Sequence, residues 1–385
     1  MRVLWIPSWY PTADNPANGS FFAEQVDMLR TCDMDVRVAV TTSATIKQVE
    51  QQEALKLVPI PDGCSIAVPA IPRSIVPGDT AIARLAANKI AAFFDEQIWI
   101  PDVIHAHSVF PAILVARQLA RIWKVPFGIT EHRPSTLRIN PKGFRYKAIR
   151  EAVTKTAFRF TVSDDMASAL TTFYDSKPFI ACRLPAASSF FYQDLYSGFS
   201  EKFTFGHVSS LDSNKCPVNI LQAFSQLESA TGCELKIAGG SQKEISELKT
   251  LAEELGISTR VTFLGQLPRE NMPELLSKLD CFILASTREA GGTVLSEAQA
   301  CGIPCISTTT PAGNFAINSL NGSLIPVGDI TSLINAMQHH LNLGKPSIKL
   351  RATIREQACD ACSPPAFAKI HSHCYQQVTA GNQRC

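Results

Sequence analysis

Glu289 and Glu297 stand eight residues apart, with Gly291, Gly292, Thr293 and Val294 between them. The paired glycines let the backbone turn and come close to a ligand, and a helix opening at Thr293 would aim its free N–H groups at an anion. Phosphate suits such a start. The two flanking carboxylates would each offer paired acceptors to hydroxyl groups. The plainer readings are a simple Gly-Gly turn and a glutamate held by the helix dipole. Lys215, in the loop after the apolar run Phe203 to Ser209, would add a positive charge beside the anion, unless it is an ordinary solvated loop lysine. His132 lies just past the run Val125 to Thr130, where a neutral imidazole can donate or accept. His105 and His107, two apart on a strand, share a face, which allows a metal pair or two satisfied structural histidines. Cys359, Cys362, His371, His373 and Cys374 have the residue types of a zinc knuckle, but Ser363, Pro364 and Pro365 interrupt the spacing. Gly239 and Gly240 make only a fragment of a dinucleotide fingerprint.

The elements that would carry these residues alternate. Arg2 to Ile6 reads as a strand, followed by a turn-rich loop ending at Gly19 and a helix from Phe21 to Leu29. Strands follow at Val36 to Val40, Val103 to Ala106, Val125 to Thr130 and Phe158 to Val162, with helices at Asp79 to Gln97, Val109 to Ile122 and Lys142 to Lys155, and another opened by Ser163. The proline-rich stretch 58–77 reads as loop with one short strand at most. The pattern breaks over 181–202 and restarts with strands at Phe203 to Ser209, Leu235 to Ala238, Val261 to Leu264, Cys281 to Ala285 and Cys305 to Ser307. Such alternation implies an α/β chain with two doubly wound parallel sheets. The expected organisation is a first domain over 1–180, a linker over 181–202, a second domain over 203–348 and a helical tail over 349–385. A cleft between the strand ends of the two domains is the expected ligand site.

Composition limits the function classes. With 385 residues the chain is long for one core, and 45% hydrophobic with 18% charged residues is a globular composition. A formal charge of +2 argues against binding nucleic acid through global charge. Twelve cysteines without a leader-like start point to a reducing, cytoplasmic setting. No apolar run approaches the roughly 20 residues of a membrane span. Lys142, Arg145, Lys147, Arg150, Lys155 and Arg159, interleaved with Phe144, Tyr146 and Ile149, form a basic stretch that suits either an anionic membrane surface or a solvated face.

The segment S-T-R-E-A-G-G-T-V-L-S-E-A-Q-A-C-G-I-P resembles the E-x7-E segment of retaining glycosyltransferases of the GT-B fold, family 4 type (glycosyl transferases group 1). Glu289, Gly292, Glu297, Ala298, Ala300, Gly302 and Pro304 match its usual form, while Ala290 and Gly291 replace Gly-Phe. The start P-S-W-Y-P-T-x-x-N-P-x-x-G-x-F-x-x-E-Q, the segment ending H-A-H and V-P-F-G-I-T-E-H are similar to the same family. Where relatives carry an arginine five residues before Lys215, this chain has Ser210, and Leu184-Pro185-Ala186 lacks the asparagine common after that proline.

The resemblance implies two Rossmann-like domains facing across a cleft, with the tail returning to brace the first. It implies that Glu289 accepts hydrogen bonds from donor-sugar hydroxyls and Glu297 holds the ribose. Gly292, Thr293, Val294 and Lys215 would hold a diphosphate, Gly19 would shape the loop beside donor and acceptor, and His132 would lie near the transferred sugar. The reaction expected is hexosyl-type transfer with retention from a nucleotide diphosphate sugar to a saccharide or lipid-linked acceptor, without a metal or other cofactor. Its setting would be cell-surface polysaccharide or glycolipid biosynthesis, at the inner face of the membrane. The alternatives are a GT-B nucleotide-sugar epimerase and a non-catalytic saccharide-binding GT-B domain.

Overall fold

Runs such as Val3-Leu4-Trp5-Ile6 and Cys281-Phe282-Ile283-Leu284 are buried on both faces, as strands of a parallel sheet covered by helices on each side must be. The computed structural model describes residues 1–12, 15, 18–51, 53–70, 78–192, 201–227 and 232–382. Pro16 of the N-terminal motif, residues 71–77 of the proline-rich stretch and residues 193–200 of the expected linker lie outside the described residues. The chain divides into two units, Met1–Cys182 with Ala368–Cys385, and Arg183–Phe367.

The strands of the first unit are β1 (Arg2–Pro7), β2 (Asp35–Ser43), β3 (Leu57–Ile60), β4 (Gly63–Val68), β5 (Val103–His107), β6 (Phe127–Glu131), β7 (Phe158–Thr161) and β8 (Ile180–Ala181). They lie in the order β3-β4-β2-β1-β5-β6-β7-β8. All neighbours run parallel except β3 and β4. The antiparallel β3–β4 pair occupies the stretch read from sequence as mostly loop. Pro59 is tolerated there because β3 is the sheet edge, where one missing N–H costs no ladder bond. The expected helix from Val109 also differs: Phe110 is extended (φ −132°, ψ 131°), and the regular helix runs over Leu114–Trp123.

The second unit carries β9 (Phe203–Ser209), β10 (Cys233–Gly239), β11 (Val261–Gly265), β12 (Cys281–Leu284), β13 (Cys305–Thr308) and β14 (Gly322–Ile325), in the order β11-β10-β9-β12-β13-β14. Every pair is parallel. Phe205, Leu235, Ile237, Ile283 and Ile306 pack with Ile220, Leu221 and Phe224 on one face. Phe282, Leu284 and Cys305 pack with Leu295, Ala298 and Ile303 on the other.

The tail consists of two helices. Ile348–Cys362 packs in the second unit, where buried Arg351 donates to the Leu279 carbonyl at 2.7 Å and to Asp280 at 3.1 Å. Pro364–Asn382 brings Tyr375 into the core of the first unit, where its hydroxyl bonds Trp5 Nε1 at 3.3 Å and His105 Nδ1 at 2.6 Å. The basic helix, Phe144–Thr154, is partly engaged inside its own unit. Arg145 pairs with buried Asp79 at 2.8 Å, Arg150 pairs with Asp175 at 2.6 Å, and buried Arg159 donates to the Thr156 carbonyl at 2.8 Å. Lys142, Lys147, Lys155 and Phe144 remain exposed. Among the described residues no helix is long and apolar enough to cross a membrane.

Candidate functional site

In an open parallel sheet, ligands gather beyond the carboxyl ends of strands where the strand order reverses. In the second unit that place is between β9 and β12, neighbours that lead away to opposite edges of the sheet. The loop after β9 turns through Leu211 (φ 59°) and Cys216 (φ 51°) and carries Lys215. The loop after β12 carries Glu289 and ends at Gly292, whose left-handed φ of 57° starts the Thr293–Ala300 helix. The two loops are stitched together. Asn214 donates to the Arg288 carbonyl at 3.0 Å and accepts from Thr287 Oγ1 at 2.9 Å, and Thr287 N donates to the Asn214 carbonyl at 2.8 Å. Across this seam Lys215 Nζ meets Glu289 Oε2 at 2.5 Å, with both side chains about four-fifths buried (22% and 18% exposed).

The result is a cation, a carboxylate and the positive pole of a helix brought to one place. The first N–H groups of a helix have no intrahelical partner and point outward. Thr293 and Val294 supply them here and are half-buried. Glu297, on the same helix, is 4% exposed, and its carboxylate receives Arg269 Nη2 at 2.6 Å. The Arg269 guanidinium also lies 4.9 Å over the Phe190 ring. Ser210, at the position where an arginine was expected, donates to Asp212 Oδ2 at 2.6 Å. That hydroxyl, more than the Asn214 N–H and nearby Lys215, holds the Asp212 carboxyl below the usual carboxylate range. Ser210 therefore shapes the turn and adds no charge to it.

In the first unit, β1, β5 and β6 end side by side, and His107 and His132 close the last two. His132 Nε2 and His107 Nδ1 are 3.1 Å apart, with the rings stacked at 24°. Burial first, then the charge of Arg133, pushes the His132 imidazole down to about 3. It is neutral throughout the physiological range. One of the pair must donate to the other, so their tautomers are linked. The position of His132 is set by a residue that sequence reading did not single out. Glu131 is fully buried and accepts from Val109 N at 2.8 Å, His132 N at 2.8 Å, Arg133 N at 2.7 Å and Thr136 Oγ1 at 3.0 Å.

Gly19 caps the Ser20–Arg30 helix at φ 76°, and a Cβ there would sit 2.8 Å from Trp9 Cδ1 and 3.2 Å from the Trp9 carbonyl. Trp9 in turn packs edge-on to Phe22 at 5.1 Å and lies under the Arg133 guanidinium at 4.8 Å. Gly19→Ala should destabilise the first unit by about 1–2 kcal/mol, the cost of a left-handed backbone with a Cβ. A denaturant midpoint unchanged from wild type would contradict this account of the turn.

The residues expected from sequence thus fall into two groups. Lys215, Glu289, Gly292, Thr293, Val294 and Glu297 share one end of the second sheet, and Gly19 and His132 share one end of the first. His105 is a structural histidine, its ring nitrogens bonded to Tyr375 Oη at 2.6 Å and Thr130 Oγ1 at 2.7 Å. Asn214, Arg269 and Glu131 were not found from sequence. Asn214 adjoins Lys215 and Glu131 lies inside V-P-F-G-I-T-E-H, whereas Arg269 has no recognised motif beside it; Asn214 and Arg269 act through partners 74 and 28 residues away, and Glu131 through Val109 as well as its neighbours His132, Arg133 and Thr136. Among the described residues no three His, Cys, Asp or Glu side chains gather as metal ligands.

Residues 19–178 match the family model described as "Glycosyl transferase 4-like domain", and residues 197–360 match "Glycosyl transferases group 1". N-acetyl-alpha-D-glucosaminyl L-malate synthase of Bacillus anthracis is 32% identical over 159 residues, which is 39% of this chain and 40% of that protein. The match therefore spans less than half of the synthase. TuaC of Bacillus subtilis (strain 168), named for a glycosyltransferase role in teichuronic acid biosynthesis, is 25% identical over an alignment that covers 98% of this chain and 99% of that protein. The structure of Anabaena HepE in complex with UDP superposes with a TM-score of 0.73 at 17% identity, covering 98% of this chain and 100% of that one, a likeness of fold.

Proposed function

The chain belongs to the GT-B glycosyltransferases of the group 1, family 4 type, and from that premise we propose that it transfers a hexose-type sugar, with retention, from a nucleotide diphosphate sugar to a saccharide or lipid-linked acceptor. The observation that carries this reading is the contact of Lys215 with Glu289 beside the start of the Thr293–Ala300 helix. A diphosphate leaving group needs positive charge close at hand, and Lys215 together with free helix N–H groups provides it. A sugar needs acceptors for its hydroxyls, which the Glu289 carboxylate provides. The Arg269-anchored Glu297 carboxylate is assigned the ribose hydroxyls. In the first unit, His132 is assigned a neutral hydrogen bond to a saccharide hydroxyl, and the Gly19 turn a close backbone approach to saccharide.

In the proposed step the bond between the anomeric carbon and the diphosphate oxygen breaks, and a bond to the acceptor oxygen forms on the same face. The acceptor's proton passes to the departing phosphate oxygen, so no carboxylate has to act as a general base. Lys215 exchanges Glu289 for phosphate as the donor enters, leaving Glu289 available to the sugar. The charge is supplied by the chain itself, so transfer is expected to need no metal or other cofactor. HepE, crystallised with UDP, makes a uridine donor the first to test. TuaC's name supports a role in bacterial cell-surface polysaccharide or glycolipid synthesis. Lys142, Phe144 and Lys147 are the exposed residues assigned to peripheral contact with an anionic membrane, from the cytoplasmic side.

The test is a panel of UDP-, GDP- and ADP-sugars screened by thermal shift, because a ligand that binds only the native state raises the melting point. Turnover is then measured with candidate acceptors and with donor alone. Lys215→Ala should weaken donor binding about tenfold or more, the worth of a charge-assisted phosphate contact. Absence of binding to every nucleotide sugar would overturn the proposal, as would conversion of the donor to an epimer without an acceptor.

A further inference from the structure

At the opposite end of β6 from His132, the first unit has a cavity of 650 Å³ lined by Arg117, Arg121, Lys124, Phe127 and Lys155, with Val378 of the last helix at its edge. The five residues of β6 put roughly 17 Å between this cavity and His132. Arg117 and Arg121 lie one turn apart on the Leu114–Trp123 helix, Lys124 follows it in a left-handed conformation (φ 57°), and Lys155 follows the Phe144–Thr154 helix. Arg117 is 5% exposed and hydrogen-bonds Glu151. The Glu151 carboxyl is held below the usual carboxylate range first by that bond and also by the charges of Arg121 and Lys155. Three cations, Arg117, Arg121 and Lys155, thus act on one carboxylate. Among the described residues neither Arg121 nor Lys155 has a salt-bridge partner, and both are exposed.

A cation at the end of a helix is favoured by the helix dipole, which accounts for Arg121 in the last turn of one helix and Lys155 at the C-cap of the other. It does not account for cations from two helices converging on one cavity, with a buried guanidinium among them. Like charges held this close repel, and an anion between them relieves that repulsion. Guanidinium and ammonium groups together match phosphate oxygens best, and Phe127 and Val378 offer an apolar wall to whatever the phosphate carries. We propose that this cavity is a binding site for a phosphate-bearing anion, a phosphate ester or pyrophosphate, separate from the nucleotide site of the second unit.

The experiment uses the full chain carrying Lys215→Ala, so that phosphate held at the second unit does not mask the signal. This protein is compared with the same protein also carrying Arg121→Gln and Lys155→Gln. Both added changes are at exposed positions, and equal melting points for the two proteins verify that the fold is intact. Pyrophosphate is titrated by calorimetry at low salt, and co-sedimentation is measured with phosphatidylcholine vesicles with and without phosphatidylglycerol. The first protein should bind pyrophosphate, and the added substitutions should weaken binding about tenfold or more. If only the anionic vesicles bind, and the added substitutions abolish that binding, the phosphate recognised is that of a lipid headgroup. Equal behaviour of the two proteins towards both probes, including no binding by either, overturns the proposal.

Discussion

Glu289→Ala should lower kcat/KM for sugar transfer by about 100- to 1000-fold, the loss expected when two hydrogen bonds from hydroxyls to a charged acceptor disappear. The fold should survive. The Glu289 side chain pairs with Lys215 at a site about four-fifths buried, so its loss costs about 1–3 kcal/mol, less than the roughly 5–15 kcal/mol that holds a typical domain folded, and its carbonyl, which receives Ala312 N at 3.1 Å, is unaffected. Glu289→Gln keeps the shape and one acceptor oxygen but not the charge, so it should fall between alanine and wild type. Donor affinity separates the roles of the two partners. Removing Glu289 frees Lys215 for the diphosphate, so nucleotide binding should be preserved while turnover falls. Removing Lys215 should weaken nucleotide binding itself. If Glu289→Ala retained full transfer with a proven donor and acceptor, this assignment would be wrong.

Where a residue's role follows from its place on one element, the sequence revealed it. Gly292 before Thr293 and Val294 predicts a helix start, and the structure has one at those residues with Gly292 at a positive φ. The alternation of apolar runs with amphipathic helices likewise gives two parallel sheets. Roles set by partners distant in the chain were not legible. Asn214 binds the loop 74 residues away, and Glu131 ties Val109, 22 residues before it, to its own neighbours His132, Arg133 and Thr136. Nothing in the periodicity of either segment encodes those partners. Ser210 is the instructive intermediate. Its identity signalled a missing charge, but only the structure shows the hydroxyl turned onto Asp212, leaving Lys215 as the cation of that loop that contacts Glu289. The β3–β4 pair was missed for a different reason: proline is a breaker by rule, and whether a strand lies at an edge is a property of the sheet, not of its own residues.

Lowering the pH from 7.5 to 5.5 should destabilise the first unit, by about 1 kcal/mol through His132 alone and further through His105 and His107. His105 and His107 are held well below the usual imidazole value by burial and by their histidine neighbours, and His132 lies at about 3. In the unfolded chain all three take up protons below about 6.5. The folded unit does not, so unfolding consumes protons and the balance tips towards it as pH falls. The stability is complete above the unfolded value and is lost progressively on the way down to the folded ones. Carboxylates do not hide this effect, because Glu151 and Asp212, whose folded values are lowered, give up their contributions only below about 4. At the alkaline end burial pushes the Cys64 and Cys182 thiols up to about 12. The unfolded chain then releases protons the folded one keeps, so stability falls again above about 8.5. A stability maximum between these limits follows from burying neutral imidazoles and thiols in one unit. Urea unfolding followed at several pH values measures it, and equal unfolding free energies at pH 7.5 and 5.5 would mean that the His105, His107 and His132 cluster takes up protons without unfolding.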